Sequence, residues 1–167
     1  MRRPQRGTRE RRRGIYSLIW TAITWKYVEW VKSIVSIPVL LKGVLTREDT
    51  RIALNIGIDG IVVSNHGART IDTVPAAMDA LPEVVEAADS RMTILMDSGI
   101  RRGTDVLKAL ALGAKAVLLG RPYLYGLGIN GAEGVRRVVE ILQREVEMAM
   151  ALTGRSKISE IDRSLLW

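Results

Sequence analysis

The chain has 167 residues, 47% hydrophobic and 26% charged, which is enough to bury one core and typical of a globular domain. It lacks cysteine, which excludes disulfides and thiolate metal sites, and its single histidine argues against a histidine-rich metal centre, so we expect no bound metal. The net charge of +7 is concentrated, because seven arginines and one glutamate fall within residues 1–13 and the remainder is nearly neutral.

Residues 1–24 are predicted to form a basic, disordered arm, because a segment rich in Arg, Gly, Pro and Gln cannot bury a hydrophobic core. Two alternatives stay open for the arm: contact with nucleic acid or anionic lipid through arginine, and targeting. The apolar run Ile15–Trp20 is too short to span a bilayer, and no convincing cleavage site follows it. We therefore expect a cytoplasmic protein whose folded domain covers residues 25–167.

After a helix over Trp25–Ser33, four apolar runs alternate with four helical periods. The runs lack charge and are rich in Val, Ile and Leu, which predicts strands buried on both faces of a parallel sheet. In chain order, each run with its following helix is Ile37–Leu41 and Thr46–Asn55, Gly60–Val63 and Pro75–Ala88, Thr93–Met96 and Gly103–Leu112, and Ala116–Leu119 and Glu133–Leu152.

The helix ends carry recognisable signals. Thr46 is a suitable N-cap with acidic residues in the first turn, Thr104 is a second candidate N-cap, and Gly113 is a suitable C-terminal glycine. Repeated strand–helix units with right-handed crossovers predict an α/β fold with four parallel strands and outer helices. Periodicity alone leaves two folds open, a doubly wound sheet or part of an eight-stranded barrel.

Polar residues follow all four predicted strands, where parallel α/β folds place their sites. The loop Asp97–Gly103 and the sequence Gly120–Pro122 combine glycines with arginines after the last two strands. Barrels often bind phosphate between these two loops with the help of a short helix's N-terminus. The alternative is that the glycines only turn the chain; placed on successive strands, the two loops favour a phosphate site.

The sole histidine, His66, lies two residues past a strand and three residues before Arg69. This spacing suits a base whose imidazole removes a proton while the guanidinium holds an anionic substrate bidentately. A satisfied surface or core histidine is the alternative. Lys42 ends a predicted buried strand, where an ammonium needs an anionic partner, and Asp97 either binds a sugar hydroxyl or caps its loop.

These residues also carry a family resemblance. From Thr24 to about Leu166 the chain resembles the FMN-dependent 2-hydroxy-acid dehydrogenases and oxidases, among them glycolate oxidase, lactate oxidase and lactate monooxygenase. The shared text is Leu-Leu-Lys-Gly (40–43), Ser-Asn-His-Gly-x-Arg (64–69), Asp-Ala-Leu-Pro-Glu-Val-Val (79–85), Asp-Ser-Gly-x-Arg-Arg-Gly-x-Asp-Val (97–106), Ala-Leu-Ala-Leu-Gly-Ala (109–114) and Gly-Arg-Pro (120–122). Ser98 and residues 120–127 are more similar to the bacterial lactate-oxidising branch of the family than to the plant glycolate branch.

The resemblance implies the C-terminal half of a TIM (β/α)8 barrel that binds FMN and oxidises a lactate-like L-2-hydroxy acid. His66 would take the hydroxyl proton while hydride passes to flavin N5, and Arg69 would hold the substrate carboxylate. Lys42 would stabilise the reduced flavin. The remaining cofactor contacts would come from Ser64, Asp97, Ser98, Gly99, Ile100, Arg101, Gly120 and Arg121.

The chain also departs from the family pattern. It has Ala68 where the family has glycine, which strains the backbone if that residue needs a positive φ. Family members are about twice as long, so we expect a truncated chain with weak or no activity alone, completed by a missing N-terminal half or by homo-oligomerisation. Two other functions stay open: another phosphate-binding flavin barrel enzyme, and a non-enzymatic module using the arginine arm. The nearly neutral body offers no nucleic-acid motif.

Overall fold

The structure is a computed structural model that describes residues 23–166, and the predicted arm over 1–24 lies almost wholly outside that range. The chain divides into two compact units, the first ending at Ile37 and the second beginning at Pro38. Within the described part of the first unit, helix α1 spans Trp25–Ile34, which confirms the predicted helix. The predicted domain boundary after residue 24 stays a prediction.

The second unit contains a four-stranded parallel sheet in the order β1-β2-β3-β4. The strands are β1 (Leu40–Val44), β2 (Gly60–Val63), β3 (Thr93–Met96) and β4 (Ala116–Val117). Sequential parallel neighbours joined by helices are what the repeated strand–helix units predict, so the α/β fold class is confirmed. Strand β1 begins three residues later than predicted, and Val39 before it instead donates its N–H to the Asp59 carboxylate at 2.7 Å.

Helices connect these strands and extend beyond the last one. They are α2 (Arg47–Ile56), α3 (Ala77–Ala88), α4 (Gly103–Ala111) and α5 (Arg121–Leu152), with single 3-10 turns at His66–Ala68, Ile158–Glu160 and Arg163–Leu165. Helix α5 begins twelve residues before the predicted start, and Asn130 and Gly131 break it with non-helical backbone angles. The predicted helix corresponds to the segment after this break.

Two of the three capping predictions are confirmed. The Thr46 hydroxyl accepts the Asp49 N–H at 3.2 Å, and Gly113 has a φ of +106° after α4. Thr104 is not the cap of α4, because the helix already includes it. The Asp105 carboxylate instead accepts the N–H groups of Arg101 and Arg102, at 3.0 and 2.9 Å.

The core lies around the two central strands. All four residues of β2 are buried, and Ile61, Val63 and Met96 are completely inaccessible. The prediction that every strand is buried on both faces is wrong for β1 and β4, whose residues are mostly exposed or half-buried. Within residues 23–166, each of these two strands has a single strand neighbour, so composition alone could not reveal their exposure.

Candidate active site

A cavity of about 470 Å³ lies at the carboxyl ends of the strands. Its volume falls within the range of small-molecule and cofactor sites. It is lined by Lys42, Asn65, His66, Gly67, Ala68, Arg69, Asp97, Ser98, Gly99, Ile100, Arg101, Leu118, Gly120, Arg121, Pro122 and Leu124. Every residue predicted for the site is in this lining except Ser64, which is 2% exposed and hydrogen-bonds to lining residues. Ile100 contributes mainly to the core, since it is 3% exposed.

Lys42 lies within β1 rather than past its end. The β1–β2 register shifts between Lys42 and Val44, and Gly43 between them has a φ of +104°. A bulge of this kind bends a strand and re-aims its side chains, and glycine accepts the positive φ without strain. The sequence predicted a buried ammonium, whereas the Lys42 side chain is 44% exposed.

Asp97 is the anionic partner of Lys42. The ammonium lies 2.7 Å from the Asp97 carboxylate and also donates to the Ser64 hydroxyl at 2.8 Å. The Ser98 hydroxyl donates to the same carboxylate at 2.8 Å. Burial acts to raise the pKa of Asp97, but hydrogen bonds from Lys42, Ser64 and Ser98 outweigh it and hold that pKa below its usual value. These contacts link β1, β2 and β3.

The turn that carries His66 has a strained backbone. His66, Gly67 and Ala68 have φ values of +54°, +65° and +60°. The strain expected at Ala68 is therefore confirmed, because a non-glycine residue there costs about 1–2 kcal/mol. The His66 N–H donates to Ser64 at 3.1 Å, and the Gly67 N–H donates to Asn65 at 3.0 Å and to Ser98 at 3.2 Å.

The side chains of His66 and Arg69 both line the cavity and are exposed to it. Among residues 23–166, neither side chain has a hydrogen-bonding or ion-pair partner. The imidazole can therefore exchange a proton with a bound molecule, and the guanidinium can present its donors to a carboxylate. Lys42 lines the same cavity, so the predicted convergence of these three side chains is confirmed. Their chemical roles stay predictions.

The two glycine–arginine loops also meet here, as predicted. Ser98 and Gly99 have consecutive positive φ values of +72° and +81°, and the space beside the Cα atoms of Gly99 and Gly120 is open. Within the described chain, nothing accepts the N–H groups of these two glycines. Helix α5 begins at Arg121 directly after Gly120, so the positive end of its dipole faces the same place.

Arg121 makes a contact that the sequence did not predict. Its guanidinium donates to the Gly67 carbonyl oxygen at 2.8 Å. A Cβ atom on Gly67 would overlap this guanidinium, so a larger residue at position 67 would displace the Arg121 side chain and would also carry the strain of a φ of +65°. A hydrogen bond therefore joins the N-terminus of α5 to the His66 turn.

Leu118 and Leu124 line the cavity but were missed. The sequence predicts Leu118 to lie inside a strand, yet β4 ends at Val117. Leu124 lies in the part of α5 that the sequence does not predict. Within residues 23–166 there is no cluster of three or more acidic, histidine or cysteine side chains able to hold a metal. In the same range, no helix combines the length and apolar character needed to cross a membrane.

Known proteins are similar to this chain in sequence and in fold. A peroxisomal (S)-2-hydroxyacid oxidase of Arabidopsis thaliana is 52% identical over 143 residues, which is 86% of this chain and 39% of that protein. Human 2-hydroxyacid oxidase 1 is 49% identical over 145 residues, or 87% of this chain and 39% of that protein. The chain thus spans about two fifths of the length of these relatives.

Solved structures give the same picture. A mandelate oxidase variant with a monooxide FMN adduct superposes with a TM-score of 0.81 at 46% identity, covering 84% of this chain and 45% of that one. A flavocytochrome b2 variant with pyruvate bound gives 0.80 at 43% identity, covering 84% and 37%. These neighbours are TIM-barrel flavin oxidases, so the sheet corresponds to part of such a barrel rather than to a doubly wound sheet.

The sequence profile of the FMN-dependent dehydrogenases matches residues 2–167. The match therefore reaches into the arginine-rich segment, whereas the sequence motifs show a family resemblance only from Thr24 onward. Together with relatives about 50% identical over most of its length, this profile shows that the chain belongs to the FMN-dependent dehydrogenase family.

Proposed function

We propose that this chain supplies the proton-abstracting and substrate-anchoring residues for FMN-dependent oxidation of a lactate-like L-2-hydroxy acid to the 2-oxo acid. One observation carries the proposal: His66, Arg69 and Lys42 line a single cavity together with two loops suited to a phosphate. A base, a carboxylate anchor, a cation and an anion cradle are the parts that this reaction requires.

The residues at the cavity fit FMN. Its phosphate would lie against the open N–H groups of Gly99 and Gly120 and the N-terminus of α5, with Arg101 and Arg121 supplying positive charge. Lys42 would hold the flavin ring and stabilise negative charge on it, because it lines the cavity and its side chain is 44% exposed. When bound, FMN supplies the acceptor for the hydride from the substrate's α-carbon.

His66 and Arg69 divide the remaining chemistry. The Arg69 guanidinium binds the substrate carboxylate through two parallel hydrogen bonds, which fixes the hydroxyl-bearing carbon relative to the cavity wall. The His66 imidazole accepts the proton of the substrate hydroxyl and becomes a cation. Since neither side chain is engaged elsewhere among the described residues, binding the substrate breaks no existing side-chain hydrogen bond.

The partner and the compartment belong to this proposal as well. Because the chain spans about 39% of its relatives' length, we propose that full turnover requires a partner, either a second copy or an N-terminal half of the barrel. The cytoplasmic location stays a prediction, since the Arabidopsis relative is named as peroxisomal.

The experiment that tests the function has two stages. In the first, the full chain is titrated with FMN and with riboflavin, which lacks the phosphate, and binding is followed by flavin fluorescence. Arg121→Gln should weaken FMN binding about 10- to 100-fold, because it removes a charge-assisted hydrogen bond. Riboflavin binding should not change. Arg137→Gln, at an exposed position of α5 outside the cavity lining, is the matched control.

In the second stage, flavin reduction by L-lactate is followed by anaerobic stopped-flow bleaching, with an N-terminal barrel half from a relative supplied. His66→Gln should abolish bleaching while FMN stays bound. Arg69→Lys should chiefly raise the L-lactate concentration at which bleaching reaches half its maximal rate, since an ammonium cannot replace the two parallel hydrogen bonds of the guanidinium. Bleaching by His66→Gln at the parental rate would contradict the assignment of His66 as the base.

A further inference from the structure

Two serine hydroxyls connect Asp97 to the backbone of the His66 turn. Ser98 Oγ donates to Asp97 Oδ1 at 2.8 Å and accepts the Gly67 N–H at 3.2 Å. Ser64 Oγ accepts the His66 N–H at 3.1 Å and the Lys42 ammonium at 2.8 Å, and that ammonium is paired with Asp97 at 2.7 Å. A hydroxyl has one proton to donate, so the donation of Ser98 to Asp97 leaves its lone pairs for the Gly67 N–H. Asp97 thus orients the Ser98 hydroxyl directly and is linked to Ser64 through Lys42.

The turn needs such support, because its backbone is strained. His66 and Ala68 are non-glycine residues at φ values of +54° and +60°, and such angles persist only where surrounding contacts enforce them. Ser98 itself has a φ of +72°, an angle that glycine would adopt without cost. A serine at this position therefore brings its own strain together with its hydroxyl.

Gly67 is held from both sides. Ser98 and Asn65 both accept its N–H, at 3.2 and 3.0 Å, and the Arg121 guanidinium donates to its carbonyl oxygen at 2.8 Å. Ser98 lies in the loop after β3 and Arg121 is the first residue of α5, whereas Gly67 and Asn65 follow β2. The Ser98 and Arg121 contacts therefore tie the turn that carries the imidazole to two other parts of the chain.

We propose that Ser98 is a positioning residue for His66, whose hydroxyl, oriented by Asp97, holds the Gly67 N–H and fixes the turn that presents the imidazole. This role is additional to the cofactor contact expected of Ser98 from the family resemblance. It rests on the proposed function of His66 as the base, and it concerns where the imidazole is held rather than the proton transfer itself.

The test uses the full 167-residue chain and two variants, Ser98→Ala and Ser98→Gly. Both remove the hydroxyl, but only the glycine variant also relieves the positive φ. Ser90→Gly is the matched control, because Ser90 is an exposed serine with a φ of +58° outside the cavity lining. Two NMR readouts are followed: hydrogen exchange of the Gly67 amide, and the imidazole C–H signal of His66, which is the only histidine in the sequence.

Both Ser98 variants should accelerate Gly67 exchange by about two- to tenfold and shift or broaden the His66 signal, since the Gly67 N–H loses one of its two acceptors and keeps only Asn65. Ser90→Gly should do neither. Denaturant unfolding separates positioning from stability: Ser98→Gly should be more stable than Ser98→Ala, yet equally altered at Gly67 and His66.

Two outcomes would overturn the proposal. If both Ser98 variants leave the Gly67 exchange rate and the His66 signal unchanged, the hydroxyl does not hold the turn. If only Ser98→Ala alters them, backbone strain and not the hydroxyl is responsible. Neither result bears on the flavin-reduction test of His66→Gln, so the positioning role and the proposed function can fail separately.

Discussion

Strands β1 and β2 are neighbours with similar apolar sequences, yet they differ in burial. All of β2 is buried, whereas Leu40, Lys42 and Gly43 of β1 are exposed. The difference arises from position, because in the part of the chain that the structure describes β2 is paired on both sides and β1 on one side only. A run of Val, Ile and Leu therefore shows that a strand forms, but its place in the sheet decides how much burial stabilises it.

The same contrast between central and edge strands divides the candidate site. The His66 turn and the Asp97 loop follow the central strands β2 and β3, while Lys42 and Arg121 belong to the edge strand β1 and to the helix after β4. The hydrogen bonds of Lys42 to Ser64 and of Arg121 to Gly67 tie these outer residues to the centre. The site is thus a strained central turn held by side chains from both sides.

The largest effect should come from a core deletion in the central strand. Ile61 of β2 is fully buried, so Ile61→Ala should lower the free energy of unfolding by about 2–5 kcal/mol through lost burial and the cavity left behind. Leu40→Ala in β1, where the side chain is 41% exposed, should cost less than about 1 kcal/mol. Urea unfolding of both variants measures the two losses in the free energy of unfolding. Equal losses would show that the central and edge strands do not differ in how much burial stabilises them.

A smaller loss of stability is expected at the contact between the edge strand β1 and the loop after the central strand β3. Asp97→Asn removes the partner of Lys42 and should destabilise the chain by about 1–3 kcal/mol, because a part-buried carboxylate network is left incomplete. Ser156→Ala, in the separate hydrogen-bonded turn near Glu160, serves as a comparison that leaves the cavity intact.

The pH dependence of the stability of Asp97→Asn tests the direction of the Asp97 pKa shift. The pKa of Asp97 is lower in the folded chain than in the unfolded one, so its ionised form contributes stability above the unfolded pKa. That contribution is lost as the pH falls through the folded pKa. The stability difference between the parent and Asp97→Asn should therefore be constant above about pH 5 and shrink below about pH 4. A difference that grows on acidification would show the wrong sign.

The smallest effect should be a gain. Ala68→Gly keeps the turn after β2 but removes a side chain from a φ of +60°, so it should stabilise the chain by at most about 1 kcal/mol. The greater freedom of glycine in the unfolded chain offsets part of the relief. Thermal unfolding of Ala68→Gly beside Ala76→Gly, where φ is −62°, measures it. If both variants lose stability equally, the strain at Ala68 is not significant.

Much of this organisation follows from the sequence. Strands β2 and β3 lie within the predicted bounds, because Gly60–Val63 and Thr93–Met96 are short, charge-free runs between clear turn signals. The placement of His66, Arg69 and the two glycine–arginine loops at one cavity follows from parallel topology alone. Their exact roles rest on the family resemblance and on experiments.

Other features depend on contacts between distant residues. The bulge at Gly43, the exposure of Lys42 and the bond from Arg121 to Gly67 each depend on how neighbouring strands and loops meet. The start of α5 was missed, because glycines at 126, 128 and 131 weaken the helical pattern over its first turns. The local sequence predicts the helix-ending glycine at 113, but it does not show that Gly126 and Gly128 lie inside a helix.

The break in α5 at Asn130 and Gly131 brings two glycines of this helix together. Across the break, Gly126 and Gly134 come so close that a Cβ on either would overlap the other's backbone. The segment before the break contributes to the cavity, and the segment after it packs against α4 through Val146, Ala149 and Met150. A larger residue at either glycine would therefore push the two segments apart and displace the cavity wall relative to the core.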